Sequence, residues 1–492
     1  MFSKVKSLFL SIELVLFVFC LCLFFPKNVF SEETTNNIKN LITVDDYLNK
    51  VKDQNGLYKN FEEKIISNKL KIREKELITS PSAFVDGGYS ANYKKSTDKD
   101  LSYNHKDYEE YNMGLQQNTD IGLSGKLYYN INKTTYVNPD PATTNNNSLG
   151  KVQIELQQDL LKNSFGKVTR ANKSLIENQN MANYYNNRYG LQQFLQNAEN
   201  TYWNLVIINN IVNVKLETVK QNKEMENYTS KKVKMNLMDQ SDELQSRAAL
   251  ELAKLDLQNA NDNQKVMILL FNSLVGSSSN ELNNKLVDIP WDYLENYKIP
   301  TVYNPTAQLK SLEKQVNAIK ANSIIDKNKY KPTLNLIANY SLNSEDDGLT
   351  NSMKRIDNSD TPTKYIGLSF STPLNFSAVK DFNESTYKDQ NAIKLQYKQQ
   401  ILNDKVTWNQ LIVQLNYAQE RLKLAKKVER IQDLKLKNEI KRWKNGISST
   451  YQVLQFQTQL TESRLNSLSI ANEIFNTISN LKLFQIEDQG NK

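Results

Sequence analysis

Mostly apolar residues recur at the spacing of long helices over much of the chain. Between residues 248 and 274 they alternate at intervals of three and four, which defines a heptad seam. The first seam consists of Leu250, Ala253, Leu257, Ala260, Gln264, Met267, Phe271 and Leu274. A second seam consists of Ala248, Leu252, Leu255, Asn259, Asp262, Val266 and Leu269. Two narrow stripes indicate two helical neighbours, as in the wall of a tube of helices. A solvated antiparallel coiled coil or spectrin-like bundle fits the helices equally well.

Two helical hairpins of similar size are predicted, over residues 167–275 and 378–485. Between 167 and 275 there is one Gly and no Pro, and the same holds between 379 and 488. The chain is expected to turn around 236–239 in the first hairpin and around 445–448 in the second. Asn and Gly tolerate the left-handed conformation that ends a helix, and Asp239 and Ser448 are expected to cap the helices that follow.

Two shorter helices, 43–79 and 305–330, precede the hairpins. Thr43 and Asp46 have the spacing of a capping box, and Asn304 stands before a Pro at the first helical position. At 1.5 Å per residue, 167–235 is ~100 Å long, while 240–275 gives ~54 Å and 43–79 adds ~55 Å. A short helix stacked end to end on a hairpin helix therefore matches the long one, and the second half repeats this relationship.

Between each short helix and its hairpin, apolar and polar residues alternate as in β-strands. The alternating stretches are 85–93 and 152–156 in the first half, and 334–342 and 366–372 in the second. The first half carries two more, at 111–115 and 121–131. One apolar and one polar face over roughly ten residues is typical of a transmembrane barrel strand between lipid and lumen. A strand of a soluble sandwich shows the same alternation.

Composition narrows these possibilities. Gly and Pro together make up about 5% of the 492 residues, against an average of about 12%, which favours long uninterrupted helices. The mean hydropathy of −0.61 excludes a polytopic helical membrane protein but leaves a β-barrel open. The net charge of +8 is too small for this length to indicate nucleic-acid binding.

The first residues have the features of an export signal. Lys4 and Lys6 precede an apolar run over 14–25, and small residues around Ser31 suit cleavage there. We therefore expect a signal peptide over 1–31, with an N-terminal membrane anchor as the alternative. The two cysteines, Cys20 and Cys22, lie inside this segment, so no disulfide or Cys-ligated metal is expected in the mature chain. Such an exported chain is periplasmic, secreted or an outer-membrane barrel.

The two halves match in register near the hairpin tips, at an offset of 210 residues. The first-half residues Asn236, Asp242, Leu244, Gln245 and Leu250 correspond to Gly446, Gln452, Leu454, Gln455 and Leu460. The chain therefore reads as a tandem duplication of helix, strands and helical hairpin. The expected organisation is a first repeat over 32–276 with strands at about 83–160, a linker over 277–303, a second repeat over 304–485 with strands at about 332–374, and a tail over 486–492.

Several short motifs follow one another in order between residues 41 and 485. They are Ile42-Thr43-Val44-Asp45-Asp46-Tyr47-Leu48, then Asn304-Pro305, Lys331-Pro332-Thr333-Leu334, Ser371-Thr372-Pro373-Leu374, and Arg442-Trp443-Lys444-Asn445-Gly446-Ile447-Ser448 with Val453-Leu454. In this order they resemble the opening helix, second-repeat start, strand start, strand exit and hairpin tip of the TolC family of outer-membrane efflux proteins.

This resemblance implies a mainly α fold with a β-barrel part. Three copies would form a trimeric α-barrel tunnel joined to a transmembrane β-barrel. The homotrimer would lie in the outer membrane of a Gram-negative bacterium, project its tunnel into the periplasm, and dock on a periplasmic adaptor protein and an inner-membrane transporter. Its function would be that of a passive duct for drug efflux or type I protein secretion, which the residues do not distinguish. A periplasmic or surface coiled-coil scaffold without channel activity is the alternative.

The sequence departs from the family pattern in several places. The first strand exit has Gln158-Asp159-Leu160 without a Pro, and Asn236 stands where the family usually has Gly. The extra strand pair lies outside the common four-strand plan, in which three protomers give twelve strands, whereas six strands each would give eighteen. We expect four barrel strands per protomer, with the extra hairpin folded as an insertion.

Candidate chemistry is sparse, and no enzyme activity, cofactor or metal is expected. His105 is the single histidine, and no glycine-rich phosphate loop precedes a helix. Gating is the expected function of the tips, with a periplasmic aperture formed by Asp239, Asp242, Glu243, Gln452 and Gln455. A ring of carboxylates there would favour cations, although the same acids suit the start of a helix.

Adaptor docking is expected on the turns themselves. The residues assigned to it are Lys234, Met235, Asn236, Leu237, Arg442, Lys444, Asn445, Gly446, Ile447 and Ser448. The basic residues among them, with Lys232 and Lys441, could also complement the negative ends of the helix dipoles.

Overall fold

The computed structural model describes residues 41–94, 103–139, 146–282, 284–346 and 362–484. Its helices are α1 (Val44–Gln54), α2 (Gly56–Lys71), α3 (Glu74–Leu77), α4 (Lys167–Lys234), α5 (Gln240–Leu274), α6 (Trp291–Asn296), α7 (Ala307–Lys329), α8 (Phe376–Lys444) and α9 (Thr450–Leu481). Its strands are β1 (Ser82–Asn92), β2 (His105–Asn118), β3 (Leu123–Val137), β4 (Asn146–Asp159), β5 (Thr333–Asp346) and β6 (Thr363–Ser371). The predicted signal peptide over 1–31 and the tail over 486–492 lie outside the described residues.

The prediction of a mainly helical chain with a strand part is confirmed. Within the described ranges, no helix is both long and apolar enough to cross a membrane.

All six strands form one antiparallel sheet in the order β1-β2-β3-β4-β5-β6. The extra pair, β2 and β3, lies inside this sheet between β1 and β4. The expectation that the extra hairpin folds as an insertion beside a four-strand plan is therefore wrong. Its two strands, of 14 and 15 residues, are long enough to pair with each other and, over most of their length, with β1 and β4.

Each long helix lies beside shorter ones. The 68-residue helix α4 packs against α2 and α7 near the sheet and against α5 and α9 farther along. The 69-residue helix α8 packs against α7 and α9. Helix α1 meets the end of α5, where the side-chain amide of Asn55 donates to the carbonyl of Leu274 at 2.9 Å.

The short helices begin and end at different residues from those predicted. The segment 43–79 breaks at Asn55, whose side-chain oxygen accepts from the backbone N–H groups of Leu57 and Tyr58 and so caps α2. The second short helix is capped by Thr306 and begins at Ala307, two residues later than the Asn304 cap implied. Asp404 of α8 explains the shift, because its carboxylate accepts from both the backbone N–H and the hydroxyl of Thr306. The capping box of Thr43 and Asp46 is present as predicted.

The main core lies where both halves meet, midway along the long helices. Tyr47 stacks on Phe271 with ring centroids 4.0 Å apart, and Trp203 of α4 stacks on Phe475 of α9 at 3.8 Å. Leu415 and Leu422 of α8 are fully buried in the same cluster. Because burying each such side chain contributes roughly 1.5–3 kcal/mol, this cluster fixes the two hairpins side by side and positions their tips.

Candidate functional site at the hairpin tips

The first hairpin ends α4 in a Schellman motif. Asn236 has a φ of 54°, in the left-handed region, and its N–H donates to the carbonyl of Val233 at 2.9 Å. The N–H of Leu237 donates to the carbonyl of Lys232, also at 2.9 Å. These two bonds satisfy carbonyls that the end of the helix would otherwise leave without partners.

The second tip repeats this geometry 210 residues later. Gly446 has a φ of 78°, and its N–H donates to the carbonyl of Trp443 at 2.9 Å. The N–H of Ile447 donates to the carbonyl of Arg442 at the same distance. The two turns therefore present equivalent side chains, among them Leu237 and Ile447, in equivalent directions.

The helices that leave the tips are capped differently. Asp239 caps α5 by accepting from the N–H of Ser241 at 2.9 Å, and this bond holds the pKa of the Asp239 carboxyl below its usual range. The cap of α9 is Ser449, which accepts from the N–H of Gln452. The sequence assigned this cap to Ser448, which is wrong by one residue because the turn after Gly446 is as long as the turn after Asn236.

The predicted aperture residues lie in the first turns after the two tips. Asp242 and Glu243 occupy the first turn of α5 and are half-buried, whereas Gln452 and Gln455 are exposed on α9. The capping bond to Ser241 accounts for Asp239 without any role in an aperture. A ring of carboxylates needs further copies of the chain, so the aperture assignment stays a prediction.

An aromatic cluster joins the two tips within one chain. Trp443 is buried, lies 4.5 Å from the ring of Tyr228 on α4, and donates from its indole N–H to the hydroxyl of Thr450 at 3.2 Å. Met225 and Val453 are buried in the same cluster. Trp443 was expected only as part of the tip motif, although a large aromatic residue in a basic turn is a signal for such a contact.

The predicted docking residues lie on the two turns, and most of them are exposed. Leu237 and Ile447 are 63% and 65% exposed, and Met235 is similarly accessible. Lys234, Lys444 and Asn445 are exposed on the same turns, and Ser448 is half-buried. Arg442 is exposed but pairs with the buried carboxylate of Glu439 at 3.1 Å, so part of its charge is already balanced. The exposed turns therefore present both apolar and basic side chains.

A charged contact also ties the hairpins together farther from the tips. Arg464 of α9 lies 2.9 Å from Glu217 of α4, and its other guanidinium nitrogens lie 4.0 Å from Glu429 and 3.7 Å from Asp433 of α8. One arginine thus connects both long helices. No sequence pattern marks this group, because its members lie on three different helices and Glu217 is 247 residues from Arg464.

The two seams of α5 differ in burial. Residues of the first seam are buried or half-buried against α4, as Leu250 and Ala253 show. Every residue of the second seam is exposed, with Leu252 at 62%. A second apolar stripe is exposed along α8: Leu395, Leu402, Val406, Val413, Tyr417, Leu424, Val428, Ile431 and Leu434.

The sheet has one mainly apolar face that follows the strand register from β1 to β5. One row aligns Val85, Met113, Tyr129, Val152 and Leu342. The next row aligns Ala83, Leu115, Leu127, Ile154 and Tyr340. Much of this face is exposed. The opposite face is polar, and there Asn112 donates to Asp86 at 2.9 Å and Asn130 donates to Asn112 at 2.5 Å.

Solved structures of outer-membrane channels have the same fold. CusC superimposes with a TM-score of 0.63 at 13% identity, over 93% of this chain and 95% of that chain. The CmeC outer-membrane channel of Campylobacter jejuni gives a TM-score of 0.60 at 15% identity, over 94% and 93%. The MtrE outer-membrane channel of Neisseria gonorrhoeae, in its open state, gives 0.62 at 13% identity, over 89% and 88%.

No protein-family model matches the sequence, and no curated protein matches it. The resemblance to the TolC family is confirmed at the level of the fold, which this chain shares along most of its length.

Proposed function

We propose that the protein is the outer-membrane channel of a tripartite efflux or type I secretion system. Three copies enclose a passive duct that leads from the periplasm to the exterior of a Gram-negative cell. The observation that carries the proposal is the exposed, mainly apolar face that runs in register across β1 to β5 and continues on β6 as Ile366, Leu368 and Phe370. Such a face needs an apolar solvent or a partner, and it continues into hairpins of the length that a periplasmic tunnel requires.

The dimensions of the apolar face suit a membrane. On β5 the outward side chains from Leu334 to Leu342 span ~27 Å along the strand at about 3.4 Å per residue. With a tilt of about 40° this is ~21 Å along the barrel axis, comparable with the ~25 Å apolar band of outer-membrane barrels. Beyond this band, Glu109 and Lys133 stand opposite each other on the same face. A charged pair is costly in lipid and therefore belongs beyond the edge of the hydrocarbon layer.

The exposed helix stripes support association of identical copies. The second seam of α5 points away from its own hairpin, and the stripe on α8 lies at the other side of the chain's row of helices, α5, α4, α9 and α8. Packing α5 of one copy against α8 of the next would bury both stripes and close a ring. Exposed aliphatic stripes at heptad spacing otherwise cost free energy in water.

Gating is assigned to the tips. In the trimer, Asp242 and Glu243 of each copy would converge near the axis and make the periplasmic aperture selective for cations. The exposed turn residues around Leu237 and Ile447 would receive the periplasmic adaptor, which links the duct to an inner-membrane transporter. A passive duct forms and breaks no covalent bond, so it needs no catalytic group or cofactor.

Membrane extraction and single-channel recording test the proposal. The full chain should fractionate with the outer membrane, run as a trimer in detergent and conduct ions in a planar bilayer. Leu255→Gln combined with Val266→Gln should weaken the trimer, whereas Lys254→Gln on the neighbouring face should not. A mature chain that is monomeric and soluble without detergent would refute the proposal and favour a scaffold.

Ion selectivity tests the aperture separately. Asp242→Ala should reduce the preference for cations several-fold, because each substitution removes three charges from the proposed ring. Gln452→Ala at the equivalent position of the second repeat removes no charge and serves as the control. Unchanged selectivity in Asp242→Ala would show that this carboxylate serves only the start of α5.

A further inference from the structure

We propose that the β2–β3 hairpin is part of the pore wall, so that the trimer builds an eighteen-stranded barrel about 1.5 times as wide as a twelve-stranded one. This inference rests on the trimeric channel proposed above. The hairpin would then set the size limit for molecules that cross the outer membrane. In the four-strand plan the same three copies would give twelve strands.

The extra hairpin is hydrogen-bonded to a neighbouring strand on each side. β2 pairs with β1 from Ser82↔Gln116 to Asn92↔Lys106, and β3 pairs with β4 from Leu123↔Gln158 to Thr135↔Asn146. Among the described strands, β1 and β6 are the two edges of the sheet. They have similar lengths, 11 and 9 residues, so β1 of one copy can pair with β6 of the next and leave no open edge in the membrane.

The side chains of the extra hairpin match the membrane band of its neighbours. Met113 stands between Val85 and Tyr129 in one row, and Leu127 stands between Leu115 and Ile154 in the next. A hairpin that projected into water or filled the lumen would gain nothing from an apolar row at this height. On the polar face, Asn112 and Asn130 of the hairpin join the hydrogen-bonded row that begins at Asp86 of β1.

The turn of the hairpin is also attached to the start of the first long helix. Arg170 of α4 donates to the carbonyl of Asp120 at 2.8 Å, and Lys173 pairs with the Asp120 carboxylate at 2.7 Å. Gly166 lies against the same residue so closely that a Cβ there would stand 1.8 Å from the carbonyl oxygen of Asp120. These contacts hold β2 and β3 at the junction between sheet and helices.

The number of strands determines the radius of the barrel. With strands about 4.8 Å apart and tilted by about 40°, eighteen strands close at a backbone radius of ~18 Å, whereas twelve close at ~12 Å. Eighteen strands therefore make the barrel about 1.5 times as wide as twelve strands would.

Electron cryo-microscopy of the detergent-solubilised trimer counts the strands directly. Eighteen strands with β2 and β3 in the wall is the expected result. A trimer with twelve strands, and β2 and β3 outside the wall, would overturn this inference but leave the channel function standing. A soluble monomer would overturn both.

Thiol labelling measures the width in the full chain and in a matched variant. The chain's two cysteines lie at positions 20 and 22, within the expected signal peptide, so Asn339→Cys on the polar face would supply a single lumenal thiol in the mature trimer. Polyethylene-glycol maleimides of increasing size would be added from outside. The variant lacking His105–Val137 keeps β1 and β4 antiparallel and restores the four-strand plan.

The largest reagent that labels the full trimer should have about 1.5 times the radius of the largest that labels the deletion variant. Equal size limits in two folded trimers would overturn the inference. If the deletion variant forms no trimer, the strand count of the full chain decides alone.

Discussion

Asn236 and Gly446 hold the same left-handed backbone conformation at equivalent places in the two hairpin tips, with φ values of 54° and 78°. Each closes a Schellman motif, but only glycine adopts this conformation without a steric cost from Cβ. The first tip therefore stores a small strain that the second does not.

Substitutions at these two positions should change the stability of the folded trimer in opposite directions. Asn236→Gly should stabilise the folded trimer by a few tenths of a kcal/mol, and Gly446→Ala should destabilise it by about 1–2 kcal/mol. Thermal unfolding in detergent, followed by circular dichroism, measures both. Gly56→Ala is the control, because its φ is not positive and no atom lies within 4 Å of the added Cβ. The interpretation fails if Gly446→Ala is as stable as Gly56→Ala.

Arg464 should contribute more to stability than an ordinary surface ion pair. Its guanidinium is 23% exposed and faces Glu217, Glu429 and Asp433. Arg464→Met leaves these carboxylates without their shared cation, and we expect a loss of roughly 1–2 kcal/mol that shrinks at high salt. Lys254→Met, which breaks an exposed pair with Glu251, should change stability by less than about 0.5 kcal/mol. Equal effects of the two substitutions would contradict a linking role for Arg464.

Tyr202 should make the fold sensitive to alkaline pH. Its buried hydroxyl donates to the carbonyl of Ile42 at 2.8 Å, and burial raises the pKa of Tyr202 to about 12. An unfolded tyrosine ionises near ~10, so the raised folded pKa stabilises the fold fully below pH ~10. This stability is lost as the pH rises towards the folded pKa, by roughly 2–3 kcal/mol in all.

Comparing unfolding midpoints between pH 8 and 12 measures this effect. Tyr202→Phe removes the titrating group and should be less stable at pH 8, yet lose less stability on going to pH 12. Tyr451→Phe, at an exposed position, should keep the alkaline slope of the unchanged protein. Parallel slopes for all three proteins would show that Tyr202 does not control the alkaline loss.

The exposed apolar pair at the tips should control docking of the adaptor. Leu237→Glu or Ile447→Glu places a charge on the proposed docking surface and should reduce cross-linking to the adaptor at least tenfold, with the trimer intact. Gln240→Glu adds the same charge at an exposed position just beyond the turn and should leave cross-linking nearly unchanged. If all three variants cross-link normally, the docking surface lies elsewhere.

Features that depend on neighbouring residues could be predicted from the sequence alone. Helix length follows from the scarcity of Gly and Pro, and the cap at Thr43 follows from Asp46 three residues later. The two seams of α5 could be identified in the sequence because helical periodicity places residues three and four apart on one face. Apolar alternation likewise located the strands, including the two of the extra hairpin.

Contacts between distant parts of the chain became known only from the tertiary structure. Nothing local to Thr306 shows that Asp404, 98 residues away, fixes the start of α7. The same holds for Arg464, which meets carboxylates on two other helices. Alternation marks β2 and β3 as strands but does not show which strands they pair with. Every strand offers the same backbone N–H and C=O groups, so the pairing cannot be deduced from the pattern of one strand. Only the folded sheet places them between β1 and β4, and that placement sets the width of the proposed pore.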